Sequence, residues 1–286
     1  MLYWIADDSA FSSLRTLKND DIHLFGGIVI DDINLSLLRF KIDEVKNKYS
    51  LGYSIPIKWN ITVVKEYCKK MGLENELEIL RKHSNDIRKE IIESADDINY
   101  KIIIAAVEIM KENDKSVREL QSEIKRYVFG YGLNQFGFEV SISHKPAIVI
   151  LDWPEGEDPK PFNEEYAAAY FGGKSTSGKF EYKCGALQKL KFFDSPLFAK
   201  TLNTSALQFT DIIIGATKDY LLSKFKPKKK NHFKDEVFML FKHKFRSYPN
   251  FEDRGLYIPN TSRNLKSHIF PNLYLSADDD DILLDF

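Results

Sequence analysis

Short continuous apolar runs alternate with amphipathic stretches along this chain, a pattern that predicts buried strands interleaved with helices. Leu2 to Ala6 is an apolar run that stops at Asp7-Asp8 and reads as a strand. Leu24 to Ile30 reads as a second, joined to the first by a polar hairpin connection. Leu35, Leu38, Ile42 and Val45 recur at helical spacing. Ile55-Pro56-Ile57-Lys58-Trp59 reads as a short extended piece, because proline disfavours helix there. A charge-rich helical stretch follows from Thr62 to Ser94, broken near Gly72.

Tyr100 to Met110 has the composition of a central strand. Ser116 to Phe129 is helical in pattern, with Gly130, Gly132 and Gly137 blurring its end. Ala147 to Leu151 predicts another buried strand, ending at Asp152, and Lys189 to Phe193 a short one. Thr204 to Leu222 predicts a long helix, and Phe233, Val237, Phe238, Phe241 and Phe245 the apolar stripe of a last one. Strands mixed with helices give an α/β fold with a mixed sheet.

Three carboxylates break this apolar pattern. Asp7 and Asp152 end strands, and Asp211 interrupts Ala206-Leu207-Gln208-Phe209-Thr210-Asp211-Ile212-Ile213-Ile214. Strands deliver side chains to one edge of a sheet, and a helix crossing that edge adds a third. Hard oxygen ligands of this kind suit Mg2+ or Mn2+, and a pair of such ions supports phosphodiester cleavage. Each acid also has a structural reading. Asp7 with Asp8 and Ser9, or Asp152 before Trp153-Pro154, can open a turn. Asp211 shares a helix face with Gln208, Gly215 and Lys218, which solvent could cover. Ser205-x-x-Gln208 matches a capping box.

These residues carry a family resemblance. Ile5-Ala6-Asp7-Asp8-Ser9, Gly26-Gly27-Ile28-Val29-Ile30, Ile57-Lys58-Trp59, Ile148 to Asp152, Phe193-Asp194-Ser195 and Ser205 to Ala216 occur in order. The set resembles the microbial family called domain of unknown function 3800, related to the ribonuclease H-like superfamily. The last piece looks like that family's leucine-glutamine-x-x-aspartate helix. The resemblance spans residues 1–222 and implies a ribonuclease H-like sheet and a metal-dependent nuclease site, in defence or mobile-element biology by family context. It implies Asp7, Asp152 and Asp211 as metal ligands with Asp8 as an accessory. It further implies Lys58 as a stabiliser of phosphate charge and Gln208 as a group positioning water or a phosphate oxygen. The chain departs from the family at Asp8 and Ala10, where glutamate and glycine are usual, and at Pro56, where a glutamate often precedes the lysine.

Charge sharpens this reading. The whole chain of 286 residues carries −1, which by itself argues against a strongly basic nucleic-acid binder. Yet Lys218 to Arg246 holds ten cations and three acids, while the last eleven residues hold five aspartates. Phenylalanines at 225, 233, 238, 241 and 245 lie among those cations, a pattern that serves either nucleic-acid stacking or a core with a solvated basic face. Lys224, Lys226, Lys228, Lys229 and Lys230 are candidate phosphate contacts, as are Lys174 and Lys179 in a glycine-rich loop. The expected organisation is a domain over 1–222, a basic helical extension over 223–275 and an acidic tail over 276–286 that docks a protein partner or shields the basic surface.

Other chemistries lack support. Gly172-Gly173-Lys174-Ser175-Thr176 resembles the end of a P-loop, but Ala168 stands where glycine is needed and a helical pattern precedes it. No His-Glu-x-x-His pair, zinc-type cysteine spacing, nucleophile elbow or dinucleotide fingerprint is present. Two distant cysteines exclude a disulfide scaffold. No apolar run reaches the ~20 residues that span a bilayer, and the first residues lack a signal-peptide pattern, so a cytoplasmic location is expected. The leading expectation is a divalent-metal-dependent nuclease. The alternatives are a non-catalytic nucleic-acid-binding or regulatory subunit and a metal-dependent hydrolase of small phosphates.

Overall fold

The computed structural model describes residues 1–9, 21–109, 116–152, 158–226 and 232–271. The expected hairpin connection, Trp153 to Glu157, Lys228 to Lys230 and the acidic tail 276–286 lie outside the described residues.

The strands are β1 (Leu2–Asp8), β2 (Asp21–Asp31), β3 (Tyr100–Ile109), β4 (Ala147–Asp152), β5 (Leu197–Ala199) and β6 (Leu256–Tyr257). The α-helices are α1 (Asp32–Lys48), α2 (Ile61–Lys70), α3 (Glu74–Ser94), α4 (Val117–Ser143), α5 (Lys160–Ala167), α6 (Ser205–Phe225), α7 (His232–Phe241) and α8 (Arg263–Ile269). The strands form one mixed sheet in the order β5-β4-β1-β2-β3-β6. β1 pairs antiparallel with β2, and β2 with β3. β4 runs parallel to β1, β5 parallel to β4, and β6 parallel to β3.

Side chains alternate across a strand, so each strand feeds two cores. Trp4 and Ala6 of β1 face α4 and α5, where Phe129, Phe136 and Phe162 are buried. Ile5 of β1 faces the opposite layer, with Phe209 and Ile213 of α6 and Leu38 of α1. The molecule is therefore a sheet between two helical layers. Among the described residues, no helix is long and apolar enough to cross a membrane.

Three local expectations change. The Lys189–Phe193 strand is absent; Leu187–Leu190 forms a 3-10 turn, Phe192 makes one isolated bridge to Ala147, and β5 supplies the edge. The helix expected to fade after Phe129 continues to Ser143, started by a true capping box between Ser116 and Glu119. Its glycines are sites of close approach: a Cβ at Gly132 would lie 2.2 Å from the Trp4 ring, and one at Gly137 would lie 2.4 Å from Cys184 Sγ. The Ile55–Trp59 segment, expected as a short extended piece, belongs to no strand. The C-terminal extension is also more than helical, since β6 joins the sheet and Phe238, Phe241 and Phe245 enter the α6-side core.

Gly27 lets α6 lie close on the sheet, while Gly26 admits the close β3 backbone at Ile103–Ile104. A Cβ at Gly27 would stand 2.0 Å from Ile5 O and 2.7 Å from Thr210 Cγ2, and Gly26 adopts φ +150°. Backbone cannot yield as a flexible side chain can. Gly27→Val is expected to destabilise the fold by about 1–3 kcal/mol. Urea denaturation should show a lower midpoint with an unchanged slope; an unchanged midpoint would mean that the close approach costs nothing to relax.

Candidate active site

β1 and β4 are parallel neighbours, so their C-terminal ends reach the same edge of the sheet. From this pair the chain proceeds outward in both directions, to β2-β3 on one side and to β5 on the other. Such a switch point, at the carboxyl ends of strands, is where open α/β sheets form binding crevices. Asp7 and Asp152 end these two strands, one register step beyond the Ala6–Leu151 pair. Asp7 has the parity of Ile5, and Asp152 that of Ile150, so both belong to the α6 face. Asp211 comes from α6 itself.

One oxygen of each carboxylate is fixed by a backbone N–H. Asp8 N donates to Asp7 Oδ1 at 2.7 Å, Thr201 N to Asp152 Oδ1 at 2.8 Å, and Trp59 N to Asp211 Oδ2 at 2.5 Å. Lys58 Nζ stands 3.6 Å from Asp211 Oδ1, with both side chains about four-fifths buried. Burial pushes the Asp7 carboxyl well above the usual carboxylate range, and the charges of Asp152, Asp211 and Asp8 add to this against the pull of Lys58. Burial also raises Asp211, opposed first by Lys58 and then by the Trp59 N–H. Lys58 itself is raised: burial works to lower it, but Asp211, Asp7 and Asp152 outweigh that effect.

Three carboxylates thus face one ammonium. They are close enough to hold protons against one another, yet they are not closed around a common point. Among the described residues, no three His, Cys, Asp or Glu side chains form a ready-made metal site as they stand. The donor set of hard oxygens with excess negative charge nevertheless fits a divalent ion such as Mg2+ or Mn2+.

Asp8 alternates to the other face of β1, and its charge adds to the rise of Asp7. Gln208 is a correction to the expected site. Its side chain is buried, Oε1 accepts from Ile57 N and Lys46 Nζ (both 3.1 Å), and Nε2 donates to Leu202 O at 3.3 Å. The amide is occupied by protein groups and positions the Ile55–Trp59 segment, so it does not face a water or phosphate oxygen. The capping box proposed for it does not form either, since Thr204 is the N-cap and lends no side-chain bond.

The candidate phosphate contacts are scattered. Lys174 and Lys179 are exposed in the loop after α5, beside the α4–α5 layer. Lys224 and Lys226 end α6, where the Lys224 ammonium lies 4.0 Å from Asp235 and that of Lys226 lies over Phe225. Sequence reasoning missed Trp59 as a site residue. Gly215 and Asp219 follow Asp211 at four-residue steps, and that spacing is the signal for the helix face that receives its ring.

A comparison of the chain with protein-family models, curated proteins and solved structures finds no match.

The Lys46–Gln208 contact makes a pH prediction. Lys46 is 1% exposed. Burial lowers its ammonium from the ordinary 10.5 to about 8, with Asp43 opposing. Between these values the unfolded chain binds the proton and the folded chain releases it, so stability rises with pH across that window. The slope from this group is at most about 1.4 kcal/mol per pH unit. Chemical denaturation of wild type and Lys46→Met from pH 8 to about 10 checks it. The variant should lose the rise, and equal slopes would show that Lys46 keeps an ordinary ammonium.

Proposed function

We propose that this chain is a divalent-metal-dependent phosphodiesterase that hydrolyses nucleic acid. The observation that carries the reading is the convergence of Asp7, Asp152 and Asp211 on one face of the sheet's switch point, beside the Lys58 ammonium. The mixed order of the sheet supports, as part of this proposal, the ribonuclease H-like fold and the domain of unknown function 3800 membership that the sequence pieces suggest.

In this reading Asp7, Asp152 and Asp211 hold Mg2+ or Mn2+, each carboxylate oriented by its backbone N–H. The bound ion supplies a polarised phosphate and a water activated at neutral pH. Lys58 occupies the excess negative charge of the cluster and, when a cation takes that role, is placed to meet a non-bridging phosphate oxygen. The Thr201 N–H fixes Asp152 from the turn after β5, so the edge strand is a support of the site. Gln208 and Lys46 act one step further out, by holding the segment that carries Lys58.

The test is a cleavage panel of single- and double-stranded DNA and RNA with Mn2+, run for wild type and for Asp7→Asn, Asp152→Asn and Asp211→Asn. Wild type should cut at least one substrate only when the ion is present, and each variant should lose about a hundredfold or more of that rate. No ion-dependent cleavage of any substrate, or full cleavage by the three variants, overturns the proposal.

A further inference from the structure

Trp59 joins the carboxylate cluster to a second feature. Its backbone N–H holds Asp211, while its ring rests on the same helix one turn further along. A Cβ at Gly215 would lie 2.1 Å from Trp59 Cγ, so only glycine admits the ring there. One turn later, Asp219 Oδ2 accepts from the indole N–H at 2.8 Å. Asp211, Gly215 and Asp219 therefore fix the backbone, the ring and the indole nitrogen from one face of α6. The eight-residue step from Asp211 to Asp219 amounts to about 12 Å of helix.

Beyond the ring opens a cleft of about 350 Å³. Its aromatic lining is the Trp59–Phe233 pair, offset-stacked on each other with centroids 6.1 Å apart. The Arg88 guanidinium lies over both, 4.9 Å from the Trp59 ring and 5.7 Å from that of Phe233. Asn60, Asn85 and Asp219 supply amide and carboxylate groups around the rim.

The cations of this cleft are not offered to a phosphate. Arg88 donates to Ser84 O, Trp59 O and Asn85 Oδ1. Lys234 Nζ is 2.7 Å from Asp219 Oδ2. What remains is a flat aromatic and guanidinium surface with a hydrogen-bonding rim. That surface suits a planar, uncharged heteroaromatic ring.

We infer that this cleft receives one unpaired nucleobase of the strand, packed against the Arg88 guanidinium and the Trp59–Phe233 pair about two helical turns or less from the carboxylates. The inference rests on the proposed action on nucleic acid and narrows it to strands with an exposed base. A base within a duplex has both faces stacked and its edge paired, so it reaches a recess only after extrusion.

The experiment is fluorescence anisotropy of short labelled single strands without divalent ions, so that binding is read apart from cleavage. One probe is intact, and a series carries a single abasic position moved along the strand. The full-length protein should bind one or two of the abasic strands about tenfold more weakly than the intact strand, with little change for the others. Phe233→Ala removes one ring of the aromatic lining, and Asn85→Trp fills the mouth from an exposed helix position. Both variants should bind intact and abasic strands alike, with circular dichroism spectra unchanged from wild type. Abasic strands binding within about twofold of the intact one at every position overturn the inference. So does a preference that survives Asn85→Trp, or no binding of the intact strand. A base preference without Mn2+-dependent cleavage keeps the cleft and removes the phosphodiesterase reading. Cleavage without a base preference does the reverse.

Discussion

The site depends on how α6 grips an irregular piece of backbone. Ile55 to Trp59 has no strand partner, so its N–H groups must be satisfied in another way. Side chains of one helix do this: Gln208 takes the Ile57 N–H, and Asp211 takes that of Trp59. A hydrogen bond to a charged acceptor contributes about 1.5–3 kcal/mol. The bond to Asp211 therefore offsets part of what burying that carboxylate costs. The same contact fixes the Asp211 carboxylate and carries Lys58 to within 3.6 Å of its other oxygen. Anchoring of the segment and assembly of the cluster are one event.

Much of the fold was legible from local patterns. β1, β3 and β4 are apolar runs that end at polar residues, and burial on both faces of a central sheet requires such runs. The break at Gly72 between α2 and α3 follows from its φ of +69°, which other residues rarely adopt. The three aspartates could be singled out because ionised groups next to buried positions are costly without a purpose. What stayed hidden was non-local. Gln208 looked like a catalytic amide or a cap, since nothing nearby in sequence shows that Lys46 and Ile57 are its partners. The continuation of α4 through three glycines depends on Trp4 and Cys184 filling the space where side chains would stand.

The electrostatic state of the cluster ties these parts together. Asp7 is 4% exposed and raised in proton affinity by burial and by the carboxylates around it. A site that holds acids against their preference is strained with respect to cations, and Lys58 relieves only part of that strain. A divalent ion would relieve more, because it carries twice the charge and draws on oxygens already turned by their backbone bonds. Under the proposed function, affinity for such an ion would draw on the repulsion that, after burial, raises Asp7.

This local field also bears on how a polyanion could approach a chain of net charge −1. A phosphate moving toward three carboxylates is repelled unless a cation stands between them. The cleft lined by Trp59 and Phe233 offers a route of a different kind, since stacking does not require the phosphate to be neutralised first. In the proposed mode the strand would be held by a base on one side of Trp59 while its backbone lay over the carboxylates on the other. Binding would then be only weakly salt-dependent at the base, with divalent dependence confined to the step at the phosphate. Overall charge says little about either contribution, because both are set within the reach of one helix face and one tryptophan.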